Sequence, residues 1–253
     1  MKFVGLRPQM IEIEPGTVIK LWAPTKTSDK PAVILLHGFA VDGMLTWQLQ
    51  ALSLAGQYAV YVPDFMFFGG STTDRTEKSV AFQAQCVPGV LKRLGVGRCI
   101  VRMGDDGVML SSWSDFLLLQ SAKGARTKFK IATYKLPRWI PECFFRQYVE
   151  VASERRKEKA ELLEALVIPD DEDPNKIPTL SQRVHLLWGA NDKIFPMKVA
   201  ISLKEKLGEK ATLESIEGAG HVALLERPIV YNRLLRKTLA SLVEAGVILA
   251  PNS

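Results

Sequence analysis

The sequence predicts an α/β fold: a mostly parallel central sheet with helices on both faces. Three observations carry this. Short β-branched apolar runs alternate with longer stretches of helical period. The run Ala32–Leu36 (AVILL) is apolar throughout, as expected of a strand covered on both faces. Three further segments with turn chemistry directly follow predicted strands, where open α/β sheets place their sites.

Taken in order, Met10–Glu14 and Thr17–Ala23 flank Pro15-Gly16 and read as an opening β-hairpin. Further strands are predicted over Ala32–Gly38, Tyr58–Asp64, Arg98–Met103, Arg183–Gly189 and Ala211–Glu217. Helices are predicted over Leu45–Ala55, Thr76–Leu94, Pro196–Leu207 and Pro228–Leu242. The second helix holds Pro88-Gly89 in its interior. Proline there removes a backbone donor at a cost of ~3 kcal/mol, so a kink or split is expected. From Ser121 to Leu166 the strand signal disappears. FKIATYKL, PECFFRQYVEV and SERRKEKAELLEALVI read as a helical insert, closed by the acidic loop Pro169–Pro178. An all-helical insert between sheet strands sits where a lid would. The expected division is a core of 1–110 and 179–253 with a helical cap of 111–178.

Composition bounds the function. With 253 residues, 47% hydrophobic and 24% charged, the chain has enough apolar side chains for a core, which excludes disorder as its main state. Its 33 basic and 27 acidic residues leave a net charge of +6. The one dense basic run, Arg155–Lys159 (RRKEK), is interleaved with Glu158 and reads as a solvated helix face, so no nucleic-acid partner is expected. Cys86, Cys99 and Cys143 are odd in number and widely spaced, without a CxxC or Cys/His cluster. They suit reduced thiols in a cytoplasmic protein, and neither a metal nor a cofactor is expected. The opening MKFVGLRPQMIEIE lacks the pattern of a signal or transit peptide, and no apolar run is long enough for stable membrane insertion.

The first segment after a predicted strand is His37–Ala40 (HGFA), a glycine turn able to aim backbone N–H groups at a developing oxyanion. The second, Leu186–Pro196 (LLWGANDKIFP), puts Asp192 before a proline-initiated helix, where it can cap that helix or orient a histidine. The third, Ile216–Pro228 (IEGAGHVALLERP), carries His221 in a glycine-rich loop. Of the three histidines, His37 precedes the turn and His185 lies inside a strand, so His221 is the candidate general base.

Together HGF, VPDFMFFGGS, LLWGANDKIF and GAGHVALLERP, in that order, resemble the α/β-hydrolase fold superfamily. RKEKAELLEALVI, IATYKLP and LERPIVYNRLL look most like plant members related to monoacylglycerol lipases and to carbon–carbon-bond hydrolases of aromatic degradation. The resemblance implies His221 as catalytic base, Asp192 as its acid partner and the Phe39 N–H as an oxyanion donor. It implies supporting roles for His37, Gly38 and Asp64, the last shaping the floor of the site with the FFGGS loop. Phe129, Tyr134, Trp139, Phe144, Phe145 and Tyr148 of the insert either line an acyl-binding cleft or pack the cap. The implied partner is a small apolar or acyl-type substrate.

One member is missing. The family's nucleophile sits in G-x-S-x-G on a sharp strand-to-helix turn, and no such pentapeptide centred on Ser, Cys or Asp is complete here. Gly69–Thr73 (GGSTT) lacks the second glycine. Ungapped registration of RCIVRMGDDGVML puts Asp105 at the nucleophile position, with Asp106 supplying the second oxyanion N–H and Gly107 matching the last glycine. Met103 stands where the first glycine belongs. Ser111–Gly124, resembling the entry to the cap, follows almost at once. A helix of ~11–12 residues and a strand of ~5–6 are therefore missing, and the sheet should lack one central strand.

Three readings follow. In the first, the chain descends from serine hydrolases of carboxylic esters and is impaired by loss of the serine. In the second, Asp105 is itself a nucleophile, as in epoxide hydrolases and haloalkane dehalogenases of this fold, although Asp106 beside it would repel an anionic intermediate. In the third, the chain is a non-enzymatic binder of a small ligand.

Overall fold

The computed structural model describes residues 4–26, 28–97, 99–103, 117–118, 120–165, 180 and 182–245. The chain divides into two compact units. One comprises Met1–Leu119, Glu150–Val167 and Leu239–Ser253; the other comprises Gln120–Val149 and Ile168–Thr238.

The first unit is built on a sheet ordered β1-β2-β4-β3-β6. Here β1 is Leu6–Glu14, β2 Thr17–Pro24, β3 Ala32–Leu36, β4 Ala59–Pro63 and β6 Ile100–Met103. β1 and β2 form the expected hairpin, with Gly16 at φ 76° supplying the left-handed turn. β3 pairs in parallel with β4 on one side and β6 on the other. Val33, Ile34 and Leu35 are wholly buried, which is why the run could be apolar at every position. A two-residue strand, β5 (Thr72–Thr73), adds to β2. It is too short to show in the hydrophobic pattern.

Helix α1 (Gly43–Leu54) starts where Asp42 accepts the Leu45 N–H at 2.8 Å, and it buries Trp47, Ala51 and Leu54 on one stripe. Helix α2 (Val80–Arg93) starts later than the expected Thr76, because Ser79 caps it through the Phe82 N–H at 3.0 Å. Of the kink or split expected at Pro88, the split does not occur: the helix runs through it. Pro88 and Ala84 are both exposed, so water can satisfy the Ala84 carbonyl that Pro88 cannot bond. On the opposite face Phe82, Cys86 and Val90 are buried. Each such side chain contributes about 1.5–3 kcal/mol, more in sum than the proline costs.

Among the described residues of the insert are three helices, α3 (Ala122–Ala132), α4 (Glu142–Ser153) and α5 (Arg156–Ala165). Between α4 and α5, Arg155 takes a left-handed φ of 51°. The basic run beginning there is not wholly a solvated face. Lys159 is only 2% exposed, donates to the Ala152 carbonyl at 3.1 Å and lies 4.7 Å from the centre of the Phe68 ring. Burial pushes its pKa down.

The second unit holds α3, the start of α4, β7 (Val184–Gly189), α6 (Met197–Leu207), β8 (Ala211–Ile216), α7 (Ala223–Glu226) and most of α8 (Pro228–Glu244). β7 and β8 pair in parallel from Val184↔Ala211 to Gly189↔Ile216 and form a sheet of their own. Among the described residues β6 pairs only with β3, and β7 only with β8.

Candidate active site

The second unit brings Asp192 and His221 together. Asp192 follows β7 and is 8% exposed; its Oδ1 accepts the N–H groups of Ile194 and Phe195 at 2.8 and 2.9 Å. Pro196 precedes helix α6 as its N-cap and no side chain caps the helix, so Asp192 holds its own loop instead. Its Oδ2 lies 3.0 Å from Nδ1 of His221, which is 6% exposed. The carboxylate only accepts, so Nδ1 carries the proton and Nε2 is the basic nitrogen of the neutral ring. The Phe195 ring, 5.4 Å from the imidazole between centres, flanks the pair.

The loops carrying this pair are held by close backbone approach. Asn191 donates its N–H to the Ala219 carbonyl at 2.9 Å and accepts the Gly218 N–H on Oδ1 at 3.1 Å. A Cβ on Gly189 would lie 2.0 Å from the Gly220 oxygen. One on Gly220 would lie 2.7 Å from the Ala132 oxygen and the Tyr134 nitrogen. Only glycine fits at either position. Glu226 accepts the Gly220 N–H at 2.6 Å on one oxygen and the Tyr134 N–H at 2.7 Å on the other. Lys193 donates to the Thr133 carbonyl at 3.0 Å. The end of α3 is thereby tied to the His221 loop. Glu226 and Lys193 were not singled out from sequence. Both lie inside LLWGANDKIF and GAGHVALLERP, but a carboxylate whose partners are backbone N–H groups, one of them 92 residues away, leaves no side-chain pattern to read.

The first unit places His37, Gly38, Phe39 and Asp64. Leu36 pairs with Met103, so β3 and β6 end side by side, and the His37–Phe39 turn follows β3 at that end. His37 is 2% exposed; its Nε2 accepts the Phe65 N–H at 2.9 Å, leaving Nδ1–H to donate to the Gly38 carbonyl at 2.6 Å. It is a structural histidine that pins the turn. Phe39 packs edge-on to Phe68 at 5.4 Å between centres, and among the described residues its backbone N–H has no acceptor.

Asp64 accepts the Gly43 N–H at 2.8 Å and lies 3.5 Å from Lys20 Nζ. Burial pushes its carboxyl up from 3.8 to about 6, against the lowering effects of the Gly43 bond and the Lys20 charge. Ser71 closes the FFGGS loop by donating its hydroxyl to the Asp64 carbonyl at 2.7 Å. Phe67 at φ 73° and Gly69 at φ 56° make the tight turn inside it.

Asp105 and Asp106 lie outside the described residues. His185 sits in β7 with Nδ1 2.6 Å from the Thr212 hydroxyl, and burial lowers its pKa. Of the insert's aromatic residues, Phe129 packs on Phe144, Phe145 and Tyr148 at 5.6, 5.8 and 4.9 Å between centres. These four rings form a packing cluster of the second unit. Trp139 is 80% exposed.

No protein-family model matches the chain, and no curated protein matches it in sequence. In structure it is similar to a putative lipase from Acinetobacter baumannii AYE, with a TM-score of 0.83 at 18% identity, covering 96% of this chain and 94% of that one. It is also similar to the 2-hydroxy-6-oxo-6-phenylhexa-2,4-dienoate hydrolase of Rhodococcus sp. strain RHA1, with a TM-score of 0.76 at 20% identity over 93% and 99% of the two chains. A carboxylesterase from Bacillus subtilis gives a TM-score of 0.69 at 17% identity, covering 93% and 92%. The chain has the α/β-hydrolase fold.

Proposed function

We propose that the chain is an esterase- or lipase-like hydrolase whose acid–base half is intact and whose nucleophile is lost, so that its turnover of carboxylic esters is impaired. The observation that carries this reading is the buried His221–Asp192 pair at 3.0 Å. A histidine with Nδ1–H held by a carboxylate takes a proton at Nε2 from a nucleophile and returns it to the leaving group. The backbone N–H groups of Phe39 and Asp106 serve the oxyanion, with His37, Gly38 and Asp64 supporting the loops around that turn. Met103, two positions before Asp105, pairs with Leu36, the residue before His37. This pairing supports Asp105 as the nucleophile position.

A carboxylate there fails on esters for a chemical reason. Attack on an acyl carbon gives a tetrahedral intermediate whose better leaving group is the carboxylate itself (pKa ~4), so the intermediate collapses back instead of expelling the alkoxide. Asp106 adds a second negative charge where the oxyanion forms. The helical insert 111–178 serves as cap over a small apolar or acyl-type substrate, a class supported by the lipase and carboxylesterase neighbours. The lineage is the plant one the sequence resembles, and the three free cysteines support a cytoplasmic setting.

The test is hydrolysis of p-nitrophenyl butyrate. The unaltered chain should turn over no faster than its His221→Ala variant, and Asp105→Ser should raise the rate by about 10²-fold or more. Ester turnover by the unaltered chain that His221→Ala abolishes would refute the impairment. An alkyl-enzyme adduct trapped from an epoxide in the His221→Ala variant would instead make Asp105 a working nucleophile.

A further inference from the structure

One segment carries a basic surplus equal to the chain's whole net charge. Gln120–Val149 holds seven of the 33 basic residues and one of the 27 acidic ones, Glu142. That surplus of six is the whole net charge; the remaining residues balance at 26 of each sign. In the second unit Lys123, Lys130, Lys135, Arg138 and Arg146 are exposed. Arg126, Lys130 and Arg138 line a surface depression of about 340 Å³ with Leu136 and Pro137. Arg126 is fixed there by donation to the Ile140 carbonyl at 3.1 Å and by the Phe145 ring, 4.5 Å from its guanidinium. Beside these cations stand exposed apolar side chains: Trp139 at 80%, Phe144 at 41% and Ile131 at 38%.

We propose that this face docks the protein peripherally on an anionic phospholipid bilayer, with phosphate headgroups entering the depression and Trp139 entering the interfacial layer. Cations alone would suit any polyanion. The exposed indole and the apolar groups around it favour a bilayer, where an amphipathic ring is stabilised at headgroup level and each nearby Lys or Arg adds electrostatic attraction. No described helix is long and apolar enough to cross a membrane, so the contact is with one surface. The same segment is bonded to the loop of the candidate base: Val222 donates its N–H to the Ala132 carbonyl at 3.3 Å, and Glu226 joins Tyr134 to Gly220. Docking therefore brings the His221 loop to a source of acyl chains. The inference goes beyond the hydrolase reading, and its readout is binding, so either can fail while the other stands.

The test is sedimentation of the full chain with vesicles of phosphatidylcholine, with and without phosphatidylserine, at low and high salt. Binding should require the anionic lipid and weaken with salt. The triple variant Lys130→Gln/Lys135→Gln/Arg138→Gln should bind about 10²-fold more weakly, at about fivefold per residue, with its thermal melt unchanged. Trp139→Ala should weaken binding and leave its salt dependence in place. Equal binding to neutral vesicles, no binding to either, or full binding by the triple variant would overturn the proposal. So would tighter binding to duplex DNA than to anionic vesicles at the same salt.

Discussion

Asp64→Asn tests the electrostatics of the first unit quantitatively. The Asp64 carboxyl titrates near 3.8 in the unfolded chain and at about 6 when folded, because burial opposes its ionised form more than Gly43 and Lys20 favour it. Below the lower value both states hold the proton and the group leaves stability unchanged. Between the two, the unfolded chain has released the proton and the folded chain has not, so each pH unit removes about 1.4 kcal/mol. Above about 6 the loss is complete, at about 3 kcal/mol in total. Asparagine keeps an oxygen for the Gly43 N–H and carries no charge at any pH. Urea unfolding of both proteins at about pH 3.5 and about pH 7.5 isolates the effect, since groups that do not interact with Asp64 cancel in the difference. The variant should gain about 3 kcal/mol on the unaltered protein as pH rises. A constant gap would refute the reasoning, and a variant that loses ground would refute it and make the Lys20–Asp64 pair a net favourable one.

Other substitutions test the loops and the helix. Gly220→Ala forces a Cβ to 2.7 Å from the Ala132 oxygen and should cost about 1–3 kcal/mol in thermal unfolding; a neutral result would contradict the close approach. Glu226→Ala leaves the Gly220 and Tyr134 N–H groups without their carboxylate and should cost about 2–4 kcal/mol, with the His221 loop exchanging amide hydrogens faster. Pro88→Ala restores a helix donor on an exposed face of α2 and should stabilise by up to about 3 kcal/mol; destabilisation would mean the proline is needed for packing.

What was legible in the sequence was what local pattern encodes. Ala32–Leu36 announced itself because a strand covered on both faces has no polar register to keep. His221 and Asp192 stood out because histidine is rare here and each follows a strand in a turn. The hairpin showed in Pro15-Gly16. What escaped depends on partners distant in the chain. α2 tolerates Pro88 because its other face is buried, which no window around residue 88 reveals. Lys159 turns inward to Phe68 although its neighbours read as a solvated run. Glu226 acts on backbone N–H groups, which any residue supplies. The basic face is hidden in the sequence because its cations are spread among apolar residues from Lys123 to Arg146, whereas RRKEK is denser but carries less net charge.

The central claim is a working base beside an absent nucleophile, and labelling by a serine-directed fluorophosphonate tests it most directly. The unaltered chain should not label, Asp105→Ser should label, and Asp105→Ser/His221→Ala should lose about 10²-fold or more of that labelling rate. Robust labelling of the unaltered chain, or an Asp105→Ser variant that keeps the native melt and stays unlabelled, would contradict the account.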